Sequence, residues 1–210
     1  MGRREKLTEF NRNNILLAAK ALFESKGFEQ TTVDDIATEA DCSKSTLYVY
    51  FKSKDEIYYS IVFSSMCLLK EKFEVASRID SGFENTFYYI CNMLTEFKNE
   101  YPIYFTSILS EISVDEEDFE RLPVLHDIYT VGEEINSILL ELIIKGVESG
   151  SLRKDLKPIP TIFTMWASLG GIIQMAEQKE KYFENKLAMP KREYLEYSFK
   201  ILLDSIKEQN

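Results

Sequence analysis

The chain reads as all-α, and three features of its 210 residues point that way. Apolar residues recur at spacings of three and four along most of its length. No stretch sustains the alternation of a half-buried strand. Capping residues and glycines fall where helices of ordinary length would begin and end. The layout predicts a three-helix N-terminal domain over residues 1–53, with a helix-turn-helix at about 32–50, followed by a helical body over 54–210.

Met1 to Leu7 is polar and basic at Arg3, Arg4 and Lys6, and reads as a solvated tail or as an arm that touches phosphate. Thr8 is placed to cap a first helix running to about Lys26, with Ile15, Ala19, Leu22 and Phe23 inward. Gly27 ends it and Phe28 folds back as a hydrophobic contact. Thr32 can cap a short helix whose small apolar face is Ile36, Ala37 and Ala40. Asp41-Cys42 makes a turn, and Ser43 caps a second short helix, Lys44 to Tyr50, in which Leu47, with Phe51 just beyond it, is core. Lys44, Ser45, Thr46, Tyr48 and Tyr50 are left outward as hydrogen-bonding groups. Two short helices at a steep angle, the second so armed, suit a DNA major groove.

Ser53-x-x-Glu56 is a capping box that opens a long helix to about Ser77. Ile57, Ile61 and Leu68 lie on one of its faces and Val62, Leu69 and Phe73 on another, so this helix must touch two bodies. A second box, Ser81-x-x-Glu84, starts a helix carrying Phe83, Phe87, Ile90, Leu94 and Phe97. Pro102 sits in the first turn of a short helix with Phe105, Ile108, Leu109 and Ile112. Val114 to Arg121 is acidic and reads as a loop. Near Pro123 a helix begins with the stripe Val124, Ile128, Val131, Ile135, Ile138 and Leu142, and Gly150 stops it. Two final helices are expected at about Thr161–Gln178 and Lys191–Glu208.

The stretch Thr31–Lys54 closely resembles the signature of the TetR family of bacterial transcription regulators. The resemblance is carried by Thr32, Ile36-Ala37, Ala40, Ser43 to Tyr48, Tyr50-Phe51 and Lys52 to Ile57. Upstream, Ile15-Leu16, Ala18-Ala19, Leu22-Phe23 and Gly27-Phe28 match as well. It covers about the first quarter of the chain; beyond that only the helical layout is similar. The chain departs from the family at Tyr50, often histidine, and at Asp41, usually glycine. Aspartate tolerates a left-handed backbone better than most residues, so the turn should survive.

The resemblance implies a homodimer on a double-stranded DNA operator, released by a small apolar or aromatic effector, in the bacterial cytoplasm. It places Thr32, Ser43, Lys44, Ser45, Thr46, Tyr48, Tyr50 and Lys54 at the DNA. Lys54 would meet phosphate at the N-terminus of its helix. It also implies a dimer interface on the last two helices, with Ala167, Gly170, Gly171, Leu195, Phe199, Leu202 and Ile206 as its residues. The alternative for those stripes is packing within one chain. The body is rich in aromatics over residues 82–105, and Phe87, Cys91, Tyr104, Phe105, Tyr129, Met165 and Trp166 are candidates to line an effector cavity. Each of them also reads as ordinary core.

Composition narrows the alternatives. The net charge is −10, yet residues 1–54 hold nine Lys/Arg against eight Asp/Glu, so the rest carries −11. A near-neutral reading head on an acidic body suits weak, salt-sensitive non-specific binding. One histidine, His126, three scattered cysteines and no Glu-x-x-His element leave no metal cluster and no catalytic constellation, so neither a cofactor nor an enzyme is expected. An architectural or activating DNA-binding protein of the same fold is the alternative. The uncharged run Pro158–Ala176 approaches membrane-spanning length, but its prolines and polar residues favour a buried helix, and no membrane partner is expected.

Overall fold

The computed structural model describes residues 2–108 and 115–208. Among these residues the elements are eleven helices and one isolated antiparallel bridge, Leu152 to Lys207. In chain order the helices are α1 (Arg3–Lys26), α2 (Val33–Glu39), α3 (Lys44–Tyr50), α4 (Lys54–Ser77), α5 (Phe83–Glu100), α6 (Pro102–Ile108), α7 (Glu116–Arg121), α8 (Val124–Glu148), α9 (Pro158–Gln178), α10 (Glu180–Leu187) and α11 (Lys191–Ile206). Leu109 and Ile112, expected on the helix after Pro102, lie outside the described residues.

Packing divides the chain into two units, Met1–Met66 with Ile112–Thr130, and Cys67–Glu111 with Val131–Asn210. The boundary expected between residues 53 and 54 is therefore not where the packing divides. The first half of α4 belongs with the N-terminal helices because Tyr58 completes their aromatic core, its ring 5.9 Å from Phe23 and 5.0 Å from Phe28. Ile15, Ala19, Phe23, Ile36, Leu47, Phe51 and Ile57 fill the remainder of that core.

Several helix ends differ from the sequence reading, each for a local reason. α1 begins at Arg3 rather than after Thr8, because the Glu5 carboxylate accepts the Gly2 N–H at 2.6 Å and caps the helix there. Thr8 lies inside the helix, and its hydroxyl donates to the Arg4 carbonyl. The Ser81 box does not form; Gly82, at φ +86°, precedes α5, and Glu84 pairs with Lys207 at 2.7 Å. The acidic segment expected as a loop carries α7, six residues whose acidic first turn suits the positive end of a helix. α9 takes in both Pro158 and Pro160, since the first turn of a helix needs no intrahelical N–H donors. At 21 residues it is long and apolar enough to cross a membrane by length and composition. Its inner face, with Ile162, Leu169, Ile173 and Ala176, is buried within its own unit, where α9 packs on α11 and α5.

In the second unit the connector after α8 is drawn tightly onto the end of α11. Arg153 N–H donates to the Ile206 carbonyl at 3.0 Å and Glu208 N–H to the Ser151 carbonyl at 3.2 Å. Leu152, fully buried, lies against Gly146, where an added Cβ would stand 2.6 Å from Leu152 Cδ1 and 3.0 Å from Phe83 Cδ2. Glycine is required here for close approach rather than for backbone freedom. Gly146→Val should therefore lower the unfolding free energy by about 1–3 kcal/mol through overpacking, measurable as a reduced urea midpoint with an unchanged m-value.

Candidate nucleic-acid interface

Two seven-residue helices form the heart of the site. Thr32 is the N-cap of α2: its hydroxyl accepts the Asp35 N–H at 3.1 Å, and the Asp35 carboxylate in turn accepts the Thr32 N–H at 2.8 Å. The same carboxylate accepts from the Lys26 ammonium at 2.7 Å and from the Thr32 hydroxyl at 2.7 Å. These donors, Lys26 foremost, hold the Asp35 carboxyl well below the usual carboxylate range. Thr32 is thus exposed but engaged as a cap.

The turn closes as a Schellman motif. Cys42 N–H reaches the Ala37 carbonyl at 2.9 Å and Asp41 N–H the Thr38 carbonyl at 3.1 Å, with Asp41 at φ +50°. Aspartate fills the left-handed position as the sequence reading anticipated. Ser43 then caps α3, its Oγ accepting the Thr46 N–H at 3.0 Å and lying 2.8 Å from both Ser45 Oγ and Thr46 Oγ1. Three hydroxyls are thereby gathered at the N-terminal end of α3. An open cleft of about 490 Å³, rimmed by Phe10, Asn14, Asp41, Cys42 and Ser43, borders them.

The outward face of α3 holds Lys44, Ser45, Tyr48 and Val49, all exposed, while Leu47 is buried. Val49, at 78% exposure, was not anticipated as part of this face; its position two residues beyond Leu47 was the available signal. An apolar group here suits a thymine methyl. Lys44 is paired, its ammonium 2.9 Å from the Asp34 carboxylate on α2, and this partner raises its pKa. Any phosphate or base that Lys44 meets must compete with Asp34. Tyr50 is half-buried, with its hydroxyl accepting from Asn11 Nδ2 of α1 at 3.0 Å.

Lys54 departs from the expected phosphate position. Its ammonium is turned inward and donates to the Phe28 carbonyl at 2.8 Å and the Thr31 carbonyl at 3.0 Å, 4.1 Å from the centre of the Phe28 ring. Carbonyl dipoles and an aromatic face there satisfy a cation that the sequence alone left without a partner. Arg12 is engaged in a similar way, 4.7 Å from the Phe51 ring centre and donating to Ser60 Oγ at 3.2 Å. Of the charges counted in the reading head, Arg12, Lys20, Lys26, Lys44 and Lys54 thus have partners within the unit, whereas Arg4, Lys6 and Lys52 are exposed. The Ser53 cap forms as read, with its Oγ accepting the Glu56 N–H at 3.1 Å, while the Glu56 carboxylate accepts the Lys52 N–H at 2.6 Å.

The effector candidates fall into both units. Phe87, Cys91, Tyr104 and Phe105 are buried in the second. Desolvation pushes the Cys91 thiol far above its ordinary range, so it packs as an apolar group. Met165 and Trp166 are half-buried, and the indole N–H donates to Asn136 Oδ1 at 3.3 Å while its ring meets Phe73 edge-on at 5.6 Å. Tyr129 belongs to the first unit, where its ring lies 6.1 Å from Phe119, and it does not join that core.

The interface candidates also divide. Leu195, Phe199, Ile206 and Gly170 are buried within the single chain, and Leu202 is half-buried. They face inward because α11 packs against α9 and α5 of its own unit. Ala167 and Gly171 do face outward, within an exposed row on α9 completed by Ile159 and Phe163, both 59% exposed, and by Met175. On α11 the exposed apolar residues are Tyr197 and Ile201.

Residues 15–61 match the sequence profile of the bacterial regulatory proteins of the tetR family. The uncharacterized HTH-type transcriptional regulator YfiR of Bacillus subtilis is 29% identical over 176 residues, 83% of this chain and 82% of its own. The biofilm operon icaADBC HTH-type negative transcriptional regulator IcaR of Staphylococcus aureus is 43% identical over 47 residues, 22% of this chain and 25% of its own. Among solved structures, the fatty acid degradation regulator FadR from Bacillus halodurans superposes with a TM-score of 0.71 at 17% identity, covering 95% of this chain and 97% of that one.

The Asp35 clasp has a pH signature. A carboxylate held low in the folded state gives stability that is complete above the ordinary carboxylate pKa of about 4, and that is lost as pH falls toward the folded value. Asp35→Asn should therefore be less stable than the native chain at pH 7, and the gap should narrow steadily below pH about 4, as read from urea unfolding across that range.

Proposed function

The chain belongs to the TetR family of bacterial regulatory proteins, and from that premise we propose that it is a repressor that binds a palindromic operator as a homodimer and is released by a small apolar effector. It acts as a helix-turn-helix transcriptional regulator and not as an enzyme. The observation that carries the operator reading is the outward face of α3, with Lys44, Ser45, Tyr48 and Val49 exposed beside the Ser43–Thr46 hydroxyls. In this proposal α3 enters the major groove, hydroxyls and Lys44 meet base edges or backbone, and Tyr48 meets phosphate or a thymine methyl. Repression is favoured by the likeness of the reading segment to IcaR, which is named as a negative regulator.

The twofold partner is supplied by the exposed apolar row of α9, Ile159, Phe163, Ala167, Gly171 and Met175, together with Tyr197 and Ile201 on α11. An exposed apolar strip of this length on a folded chain fits a self-complementary contact, with small residues at its middle allowing two helices to approach closely. The effector enters the aromatic body of the second unit, and the protein works in the cytoplasm. α4, which runs unbroken from the first unit into the second, transmits the response. A coupling of about 1–3 kcal/mol would lower operator affinity roughly 5- to 150-fold.

Selection of bound sequences from a random duplex pool should enrich one palindrome, and Lys44, Thr46 and Tyr48 replaced together by alanine should abolish that enrichment. Retention of binding by the triple variant would remove α3 from the site. Phe163→Glu, which charges the middle of the α9 row, should convert a dimer to a monomer in light scattering. It should leave the helical circular dichroism intact.

A further inference from the structure

We infer that Lys54 is a positioning residue for DNA reading and not a phosphate contact: it ties the first turn of α4 to the segment that leads into α2. The inference rests on the reading of α2 and α3 as the DNA-recognition pair. Lys54 is the first residue of α4 and is half-buried, and its ammonium spans two backbone carbonyls of the 28–31 connector, Phe28 and Thr31. Both ends of that tie are themselves fixed. Phe28, beneath the ammonium, is held between Phe23 and Tyr58, with ring centres 5.4 and 5.0 Å away. Thr31 is buried, with its hydroxyl donating to the Gly27 carbonyl at 2.8 Å, and the next residue is the N-cap of α2.

The consequence is mechanical. α2 and α3 are joined by the Schellman turn and pack on one another, so they move as one piece. The N-terminus of α2 is pinned to the N-terminus of α4 through Lys54. A displacement of the start of α4 is then passed to the recognition pair as a rotation, not absorbed by slack in residues 28–31. A free lysine at this position would instead add one cation to the duplex and leave the connector loose. The chemistry favours the tie: two carbonyl oxygens and an aromatic face replace the water that an exposed ammonium would keep, and a phosphate would have to share the ammonium's three donors with the two carbonyls.

The two roles differ in how binding depends on salt. Each phosphate neutralised by a protein cation contributes a slope of about 0.9 in log K against log salt. With the operator obtained by selection, Lys54→Met should weaken binding on the order of tenfold while leaving that slope unchanged. Amide exchange in residues 28–35 of the free protein should quicken. Phe28→Leu, which keeps both carbonyls but removes the ring, should show the same pair of changes to a smaller degree, and it carries the test if Lys54→Met does not fold. A slope reduced by about 0.9 in Lys54→Met, or exchange in residues 28–35 equal to that of the native chain, overturns the inference. If selection enriches no sequence, the operator reading fails by itself. The exchange measurement uses no DNA and still decides whether the tie exists.

Discussion

A helix of seven residues does not hold together in water, because the cost of its first turn is never recovered over so short a length. The first unit contains two of them side by side, and its remaining structure can be understood as what keeps them in place. Thr32 with Asp35 and Ser43 with Thr46 satisfy amides that have no intrahelical partner. Ile36 and Leu47 are the buried anchors, each wholly inaccessible. Asn11, Arg12 and Asn14 of α1 and Lys54 of α4 add polar ties, to the Tyr50 hydroxyl, the Phe51 ring, the Ala40 carbonyl and the 28–31 connector. α3 is thus held in place by borrowed contacts, and its free face is small because so much of the rest is committed to support.

That commitment changes how charge in the reading head should be viewed. Most electrostatic affinity for DNA comes from cations that displace counterions, and those cations must be available. Lys26 and Lys44 are matched with adjacent carboxylates at the start of α2, and Arg12 and Lys54 with rings and neutral oxygens. The head therefore offers the duplex less positive charge than its composition suggests. In the proposed role this favours discrimination, because the sequence-independent share of binding is kept low and the face of α3 proposed to read bases carries more of the difference between sites.

The second unit also places aromatic residues inside, but it leaves an apolar row outside. Phe87, Cys91, Tyr104 and Phe105 are buried, whereas Ile159, Phe163 and Met175 remain at the surface of a helix whose other side is packed. The sequence reading found both helices and their small residues. It assigned Leu195, Phe199 and Ile206 to a dimer interface, whereas within the chain they are buried: a stripe with helical spacing shows that a face is apolar, not whether its cover is the same chain or another. α7 was missed because its six residues, four of them acidic, carry no apolar periodicity, and α10 because it is a short, largely polar helix in a stretch to which the sequence reading assigned no element.

By itself the sequence determined what is local: the all-α class, the caps at Thr32, Ser43 and Ser53, the Asp41 turn and the donor set of α3. These rest on contacts between near neighbours in the chain, although Thr8 and Ser81, equally local, did not become caps. Tertiary structure decided where long side chains end. Lys54 has enough reach to meet a phosphate or to fold back on the Phe28 and Thr31 carbonyls, and only the placement of those carbonyls beside α4, set by the Phe23–Phe28–Tyr58 core, turns it inward.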